Sequence, residues 1–132
     1  MVKIIDKSNY LFTQIKNLYT TTQLKEASQT FQDTPPGFPA MFFNVIGNET
    51  TANDLSNSEN AVNTTVEITF YATGATRLST CKSLMTTADD KMRSMGFRRV
   101  FGPQQITNVA DTTICRLIAR YNRIIGSDDV LA

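Results

Sequence analysis

The sequence lacks the residues on which most enzyme and metal sites depend. It contains no histidine among its 132 residues, which removes the commonest general base and the commonest metal ligand together. Its two cysteines, Cys81 and Cys115, are too few for a disulfide framework or a zinc site. The six glycines are scattered and form neither a Walker nor a dinucleotide-binding loop. We therefore expect no enzyme activity, no cofactor and no metal.

Long apolar stretches and an excess of charge are missing as well. No apolar run approaches the ~20 residues of a membrane span, and residues 1–6 lack the apolar stretch of a signal peptide. The net charge of +1 provides little attraction to nucleic acid or to an anionic membrane. With 41% hydrophobic residues, the chain has enough for one core. We expect a soluble intracellular domain over residues 1–132, with no membrane partner.

The charges that are present are unevenly distributed. Residues 1–66 hold four lysines and six acids, a net charge of −2, and residues 67–132 hold nine basic residues and six acids, a net charge of +3. All seven arginines lie at or after Arg77. Arginine is favoured where planar, hydrogen-bonded contacts matter, as at protein interfaces. For any single arginine, however, a solvated face of a sheet is the simpler explanation.

The spacing of apolar residues predicts two helices. A first helix, which begins at Ser8 or near Lys3, has one apolar face, formed by Leu11, Phe12, Ile15, Leu18 and Tyr19. A second helix over 77–95 has a stripe at steps of three and four, formed by Leu78, Cys81, Met85, Ala88, Met92 and Met95. Gly96 follows it at the position of a C-cap glycine. Asp89 and Asp90 are expected on the solvated side of this helix.

Five segments have the pattern of strands. Strict alternation makes 62–71 the clearest, and Ala40–Ile46 is a short apolar run between Pro39 and Gly47. The remaining three are a weak edge strand within 23–34, a short strand over 97–101 that ends at Gly102-Pro103, and a last strand over 112–125. This order predicts an α+β fold, a mixed and mainly antiparallel sheet of four to five strands with two helices packed on one face.

Two segments are expected to lie outside the packed elements. Residues 47–61 contain one large apolar residue, Leu55, so burial cannot offset the entropy of ordering them. We predict a mobile hairpin loop that joins 40–46 to 62–71. The acidic tail, 126–132, is expected to be frayed.

The cysteines are expected to lie in the core. Cys81 belongs to the apolar stripe of the second helix, and Cys115 lies on the apolar face of the last strand, so both are expected to be buried and reduced. The alternative is a bridge between a helix and a strand that pack together, which an intracellular location disfavours.

The last strand has a second face of unusual composition. Ile114, Arg116, Ile118 and Arg120 alternate on it, opposite Cys115 and its apolar neighbours. A purely solvated face would more usually carry threonine, lysine and glutamate. This mixed face indicates contact with another protein. The candidate interface residues are Arg116, Arg120, Ile114 and Ile118, together with Asn53, Asp54 and Leu55 of the predicted loop.

The order of these features resembles the tail terminator proteins of long-tailed bacteriophages, the family that includes the lambda minor tail protein U. The resemblance covers most of the chain: an N-terminal helix, the lead-in Pro35-Pro36-Gly37-Phe38-Pro39 to a buried strand, a long polar hairpin loop, the strand 65–71 before a helix, Met95-Gly96-Phe97-Arg98-Arg99, and the closing strand 116–121. It is a match of element order and texture, with no catalytic fingerprint.

The resemblance implies a structural role in the virion. Such proteins form a hexameric ring that caps the finished tail tube, stops its polymerisation and joins the tail to the head. The implied partners are further copies of the chain, the tail tube protein and a head–tail connector protein, while DNA passes through the lumen without sequence-specific binding. The implied location is the virion tail or neck, after assembly in the host cytoplasm.

Two alternatives remain open. One is a head–tail connector adaptor or stopper, which has similar size and element order. The other is a small nucleic-acid-binding domain that uses Phe97, Arg98, Arg99 and Phe101 to stack and pair with bases. Alternation places Phe97, Arg99 and Phe101 on one face, where the two phenylalanines are expected to face the core. The net charge of +1 also provides little electrostatic drive for nucleic-acid binding.

Overall fold

The chain folds into one mixed sheet with two helices. The computed structural model describes residues 5–31, 35–53, 59–107, 111–126, 129 and 131. Its elements follow in the order α1 (Ser8–Lys16), β1 (Glu26–Ser28), β2 (Ala40–Asn53), β3 (Glu59–Ala72), α2 (Arg77–Ser94), β4 (Arg98–Thr107) and β5 (Cys115–Gly126). The strand order is β1-β2-β3-β5-β4, parallel between β1 and β2 and antiparallel elsewhere. The predicted α+β fold is confirmed.

The core lies between the two helices and one face of the sheet, which we call the helix face. Phe12 of α1 packs on Phe43 of β2 at a ring-centroid distance of 5.9 Å, and Tyr19, just after α1, packs on Phe70 of β3 at 5.8 Å. The apolar stripe of α2 is buried at Cys81, Leu84, Met85, Ala88 and Met92. The helix stripes and the strand alternation therefore face each other, as predicted.

The opposite side of the sheet, which we call the open face, has no described helix against it. Cross-strand pairing aligns Phe42 with Thr69 and Ile118, and Asn44 with Glu67 and Arg120. The side chains that define the open face are Phe42, Asn44, Glu67, Thr69, Tyr71, Phe101, Arg116, Ile118, Arg120 and Ile124.

The β2–β3 hairpin is longer than the sequence predicts. Its ladder runs from Ala40↔Tyr71 to Asn53↔Glu59, so the prediction of a loop is wrong over 47–53 and 59–61, while the pairing of 40–46 with 62–71 is confirmed. Hydrogen bonds replace apolar burial here: the Asn48 amide donates to the Ile5 carbonyl and accepts from the Thr64 hydroxyl, both at 2.7 Å. Residues 54–58, with Asp54 and Leu55, lie outside the described residues, and the mobility of the loop stays a prediction.

Strand β4 continues through Gly102-Pro103, where the sequence predicts an end. The strand lies at the edge of the sheet, where a proline without an N–H is tolerated, and the register irregularity between Phe101 and Gln104 accommodates the pair. Gly102 has φ of 77°, and a Cβ at this position would lie 2.3 Å from the Ile118 carbonyl oxygen. Only glycine fits so close an approach of two backbones.

The C-terminal segment is anchored at the residues that the structure describes. The Leu131 side chain is buried, and its carbonyl accepts a hydrogen bond from the Tyr10 hydroxyl of α1. The Asp129 carboxylate accepts a hydrogen bond from the Gly126 N–H at 2.8 Å. Asp129 and Leu131 thus have partners on the domain, and the fraying of 126–132 stays a prediction.

Both cysteines are buried and free, as predicted. The Cys81 sulfur lies 3.6 Å from the Phe70 carbonyl oxygen and 3.8 Å from the Cys115 carbonyl oxygen. Burial, and then the neighbouring Cys115, raise the pKa of the Cys81 thiol well above its ordinary value. This thiol is therefore protonated and shielded at neutral pH.

We predict that neither thiol reacts readily in the folded protein. The thiolate is the reactive form, and burial suppresses both its formation and its access to reagents. Labelling with an aromatic disulfide reagent should be slow in native buffer, and two thiols per chain should react at once in denaturant. Rapid labelling of either cysteine in native buffer would contradict the buried arrangement.

Candidate functional site

Several exposed apolar side chains share the open face. Among the described residues, the exposed large hydrophobic side chains are Tyr10, Phe31, Ile46, Val100, Phe101 and Ile124. Phe31, Phe101 and Ile124 lie on the open face, and Ile46 and Val100 lie at irregularities of β2 and β4. Ile124 is 59% exposed. Grouping of this kind, unlike scattered exposed residues, is typical of a protein interaction surface.

Local irregularities place several of these residues. Ile46 is an extra residue in β2 between the pairs Val45↔Val66 and Gly47↔Thr65. Val100 is an extra residue in β4 between Arg99 and Phe101. In a bulge two residues oppose one on the neighbouring strand, so the alternation shifts by one. The shift in β4 turns Phe101 to the open face, opposite Arg120.

The predicted interface residues of β5 all lie on or beside the open face, but the isoleucines are not at its surface. Ile114 and Ile118 are each 4% exposed. Ile114 packs in a small cluster with Ala40 and Tyr71, with Phe38 and Phe42 against it. The two isoleucines are therefore covered by neighbouring side chains, and Arg116, Arg120 and other residues form the exposed part of the face.

The structure does not bring the predicted hairpin residues next to these arginines. Asn53 pairs with Glu59, twelve residues along β3 from Tyr71, which is the partner of Arg116. At about 3.3 Å per residue, that separation is roughly 40 Å. Asp54 and Leu55 lie outside the described residues. Within one chain, the two parts of the predicted interface are separate surfaces.

Arg120 is held by partners within the chain. Its Nε donates to Glu67 Oε2 at 2.9 Å, and its guanidinium carbon lies 5.1 Å from the centre of the Phe101 ring. The side chain thus lies along the sheet between β3 and β4. Phe101, which the sequence predicts to face the core, is instead covered in part by this arginine.

Arg116 is arranged differently. Its guanidinium carbon lies over the rings of Phe31 and Tyr71, 5.6 Å from the centre of each. It forms no ion pair with a described residue, and its Nε is buried without a hydrogen-bond partner there. The Thr69 hydroxyl, on the same face, is buried in the same condition. Unsatisfied buried groups are costly, so this part of the open face has unused capacity for hydrogen bonds.

A second polar cluster, centred on Asp89, lies on the helix face. Its carboxylate accepts hydrogen bonds from Arg93 at 2.8 Å, Arg99 at 3.1 Å and the Tyr121 hydroxyl at 2.7 Å. The prediction that Asp89 is solvated is wrong, since its side chain is 14% exposed, whereas Asp90 is exposed as predicted. The Asp89-to-Arg93 spacing of four residues is the signal in the sequence that points to this cluster.

The electrostatics of this cluster indicate a structural role. Burial acts to raise the pKa of Asp89, but hydrogen bonds from Arg93 and Tyr121 and the charges of Arg99 and Arg93 outweigh it, so the pKa is below its ordinary value. Burial, and then the hydrogen bond to Asp89, raise the pKa of Tyr121 well above its ordinary value. Tyr121 is therefore a neutral donor that joins β5 to α2.

The residues proposed for stacking on nucleic acid are also separated by the fold. Phe97 is buried in the core, and Arg99 turns to Asp89 on the helix face. Of the four residues, Arg98 and Phe101 alone lie on the open face. A base-stacking platform built from this segment is therefore not present.

Other kinds of site find little support in the described residues. No three or more cysteine, aspartate or glutamate side chains come together there in a way that would hold a metal ion. Of the helices that the structure describes, neither has the length and apolar composition to cross a membrane. No protein-family model matches the chain, and no curated protein matches it. The family resemblance therefore rests on the order and texture of the chain's own elements.

We predict that replacing Asp89 by asparagine destabilises the protein by about 1–3 kcal/mol at pH 7, because two arginines and a buried tyrosine lose a charged acceptor. The folded-state pKa of Asp89 is lower than its unfolded-state pKa, so the contribution of Asp89 to stability is complete above the unfolded-state pKa and is lost as the pH falls through the folded-state pKa. The difference between wild type and variant should therefore shrink in acid.

Urea unfolding at pH 7 and at about pH 3 would measure this difference. Asp90→Asn is the matched control. Because Asp90 is exposed, this substitution should change the free energy of unfolding by no more than about 0.5 kcal/mol. Equal stability of Asp89→Asn and wild type at pH 7 would contradict a stabilising role for the cluster.

Proposed function

We propose that this chain is a structural subunit that assembles with copies of itself through the open face, as in the ring of a bacteriophage tail terminator. One observation carries the proposal: three of the large hydrophobic residues that are exposed in the described part of the chain, Phe31, Phe101 and Ile124, lie on the same sheet face. An apolar surface of this kind is stable in solution only when it is small or covered, and a neighbouring subunit would cover it.

The use of the polar groups supports a structural role. Three carboxylates contact an arginine of another element: Asp89 contacts Arg99 at 3.1 Å, Glu67 contacts Arg120 at 2.9 Å, and Asp129 contacts Arg123 at 3.3 Å. These pairs connect α2 to β4, β3 to β5, and β5 to the C-terminal segment. Groups that would be candidates for acid–base chemistry are thus engaged in holding the elements together.

A ring needs two different patches on each subunit, one for each neighbour. The part of the open face around Arg116 is one patch, and the acidic part of the β2–β3 hairpin, at the other end of the strands, is a candidate for the other. Following the family resemblance, we propose a ring of six copies at the end of the tail tube. Its further partners would be the tail tube protein and a head–tail connector protein. DNA would pass through the lumen without sequence-specific binding. The ring would lie in the tail or neck of a virion assembled in the host cytoplasm.

We predict that Ile124→Asp prevents ring assembly while leaving the subunit folded. Ile124 is 59% exposed, so its loss should change folding stability by no more than about 0.5 kcal/mol. A carboxylate in the covered apolar patch would be desolvated without a partner, which strongly disfavours the contact. Light scattering after size-exclusion chromatography would give the mass, and negative-stain electron microscopy would show the ring.

Thr86→Asp is the matched control, because it adds the same charge at an exposed position of α2, away from the open face. The control should assemble like the wild type. If Ile124→Asp forms the same rings, the open face is not the interface. A wild-type protein that remains monomeric at all concentrations would count against the ring itself.

A further inference from the structure

Three arginines lie on the open face, and their surroundings differ. Arg120 is bound to Glu67 and covers Phe101 within its own chain. Arg98 is exposed on the edge strand, without an ion pair to a described residue. Arg116 alone combines a fixed position over two aromatic rings with a buried Nε that lacks a partner among the described residues. Among these three arginines, Arg116 is therefore the strongest candidate for binding a carboxylate outside the described residues.

The chemistry of such a ligand follows from the guanidinium group. A planar guanidinium held by stacking presents its donors in a fixed direction, and a carboxylate matches that geometry. Because the rings already restrict Arg116, little side-chain entropy remains to be lost when a carboxylate binds. The ligand should also be flanked by apolar side chains, since Phe31 beside Arg116 is 47% exposed.

The β2–β3 hairpin offers a carboxylate in such surroundings. Residues 47–61 contain three acids and no basic residue. One of the acids, Glu49, is exposed and forms no ion pair with a described residue. It pairs across the sheet with Asn63, which in turn pairs with Ile124. Glu49 thus lies in the same row as the most exposed apolar side chain of the open face.

Glu49 cannot reach Arg116 within one chain. Their partners on β3, Asn63 and Tyr71, are eight residues apart, which corresponds to roughly 26 Å along the strand. Between two copies the pairing is possible, and each copy can use Arg116 towards one neighbour and Glu49 towards the other. Such a head-to-tail contact is heterologous, and it forms a ring when the rotation from one copy to the next closes.

We propose that Arg116 anchors the contact between copies and that it binds Glu49 on the hairpin of the neighbouring copy. This inference rests on the proposed function, because it requires that the chain assembles with itself. It assigns the acidic hairpin and the open face to each other as complementary surfaces.

A charge-reversal experiment on the full chain tests the pairing. R116E and E49R should each weaken self-association by at least about tenfold, because like charges then meet at the contact. An equimolar mixture of the two variants should assemble again, since the two kinds of copy can alternate and every contact then joins one acidic and one basic side chain. The double variant R116E/E49R should also assemble, because the charges of the pair are exchanged at each contact. Light scattering measures the mass in each case.

Two control variants make the same charge reversals at other exposed positions. R77E and D90R alter exposed residues of α2, and both should assemble like the wild type. R116E also removes the stacking on Phe31 and Tyr71, so circular dichroism melting should accompany every variant. E49R alters an exposed side chain and tests the contact independently of that packing.

The outcomes separate this inference from the proposed function. If R116E and E49R both form the same rings as the wild type, the inference is overturned and the proposed ring is not. Loss of assembly in both single variants without recovery in the mixture would overturn the pairing of these two residues. A wild-type chain that never self-associates would overturn both proposals.

Discussion

The one-sided cover of the sheet is the constraint on which the rest of the structure depends. Two helices bury the helix face, and no described element does the same for the open face, although Thr69, Tyr71 and Ile118 on it are almost fully buried. Long amphipathic side chains can cover apolar surface with their stems while their charged ends stay near solvent. Arg116 and Arg120 lie over aromatic rings on this face in that manner. Their stacking permits folding without a third layer and leaves a rim of exposed apolar groups.

The two bulges determine which side chains form that rim. A shift of one residue transfers every following side chain to the other face of a sheet. In β2 the extra Ile46 sends Asn48 to the helix face, where Ile5 and Thr64 satisfy its amide. In β4 the extra Val100 sends Phe101 to the open face.

The sequence predicts those parts of the fold that depend on a regular period. The steps of three and four in α2 and the alternation of 62–71 identify both elements and their buried faces, including those of the two cysteines. It fails where hydrogen bonds replace apolar burial, as over 47–53, and where glycine and proline are accommodated at a sheet edge, as in β4. In each case the local composition is that of a loop, and the pairing strand, distant in sequence, decides the structure.

In the candidate site, too, the sequence predicts what depends on a local pattern and fails where contacts are distant in sequence. Alternation correctly places Arg116, Ile118 and Arg120 on one face, because the period of a strand is local. It cannot show that Ile118 is covered and that Arg120 has a partner 53 residues away in Glu67. The prediction for Asp89 is wrong for a similar reason, since its contact with Tyr121 spans 32 residues. Partners of this kind become visible only after the strand order is known.

The distribution of ion pairs connects the folding of the subunit to its proposed assembly. Of the seven arginines, Arg93, Arg99, Arg120 and Arg123 bind carboxylates within the chain, and Arg77, Arg98 and Arg116 form no ion pair with a described residue. The acids of the hairpin are likewise in a segment without basic residues. Folding therefore neutralises the charges that join the elements and leaves Arg116 and Glu49, which have opposite charges, roughly 26 Å apart along the sheet. In the proposed assembly, this arrangement would disfavour contacts between like charges and would favour the contact of Glu49 on one copy with Arg116 on the next.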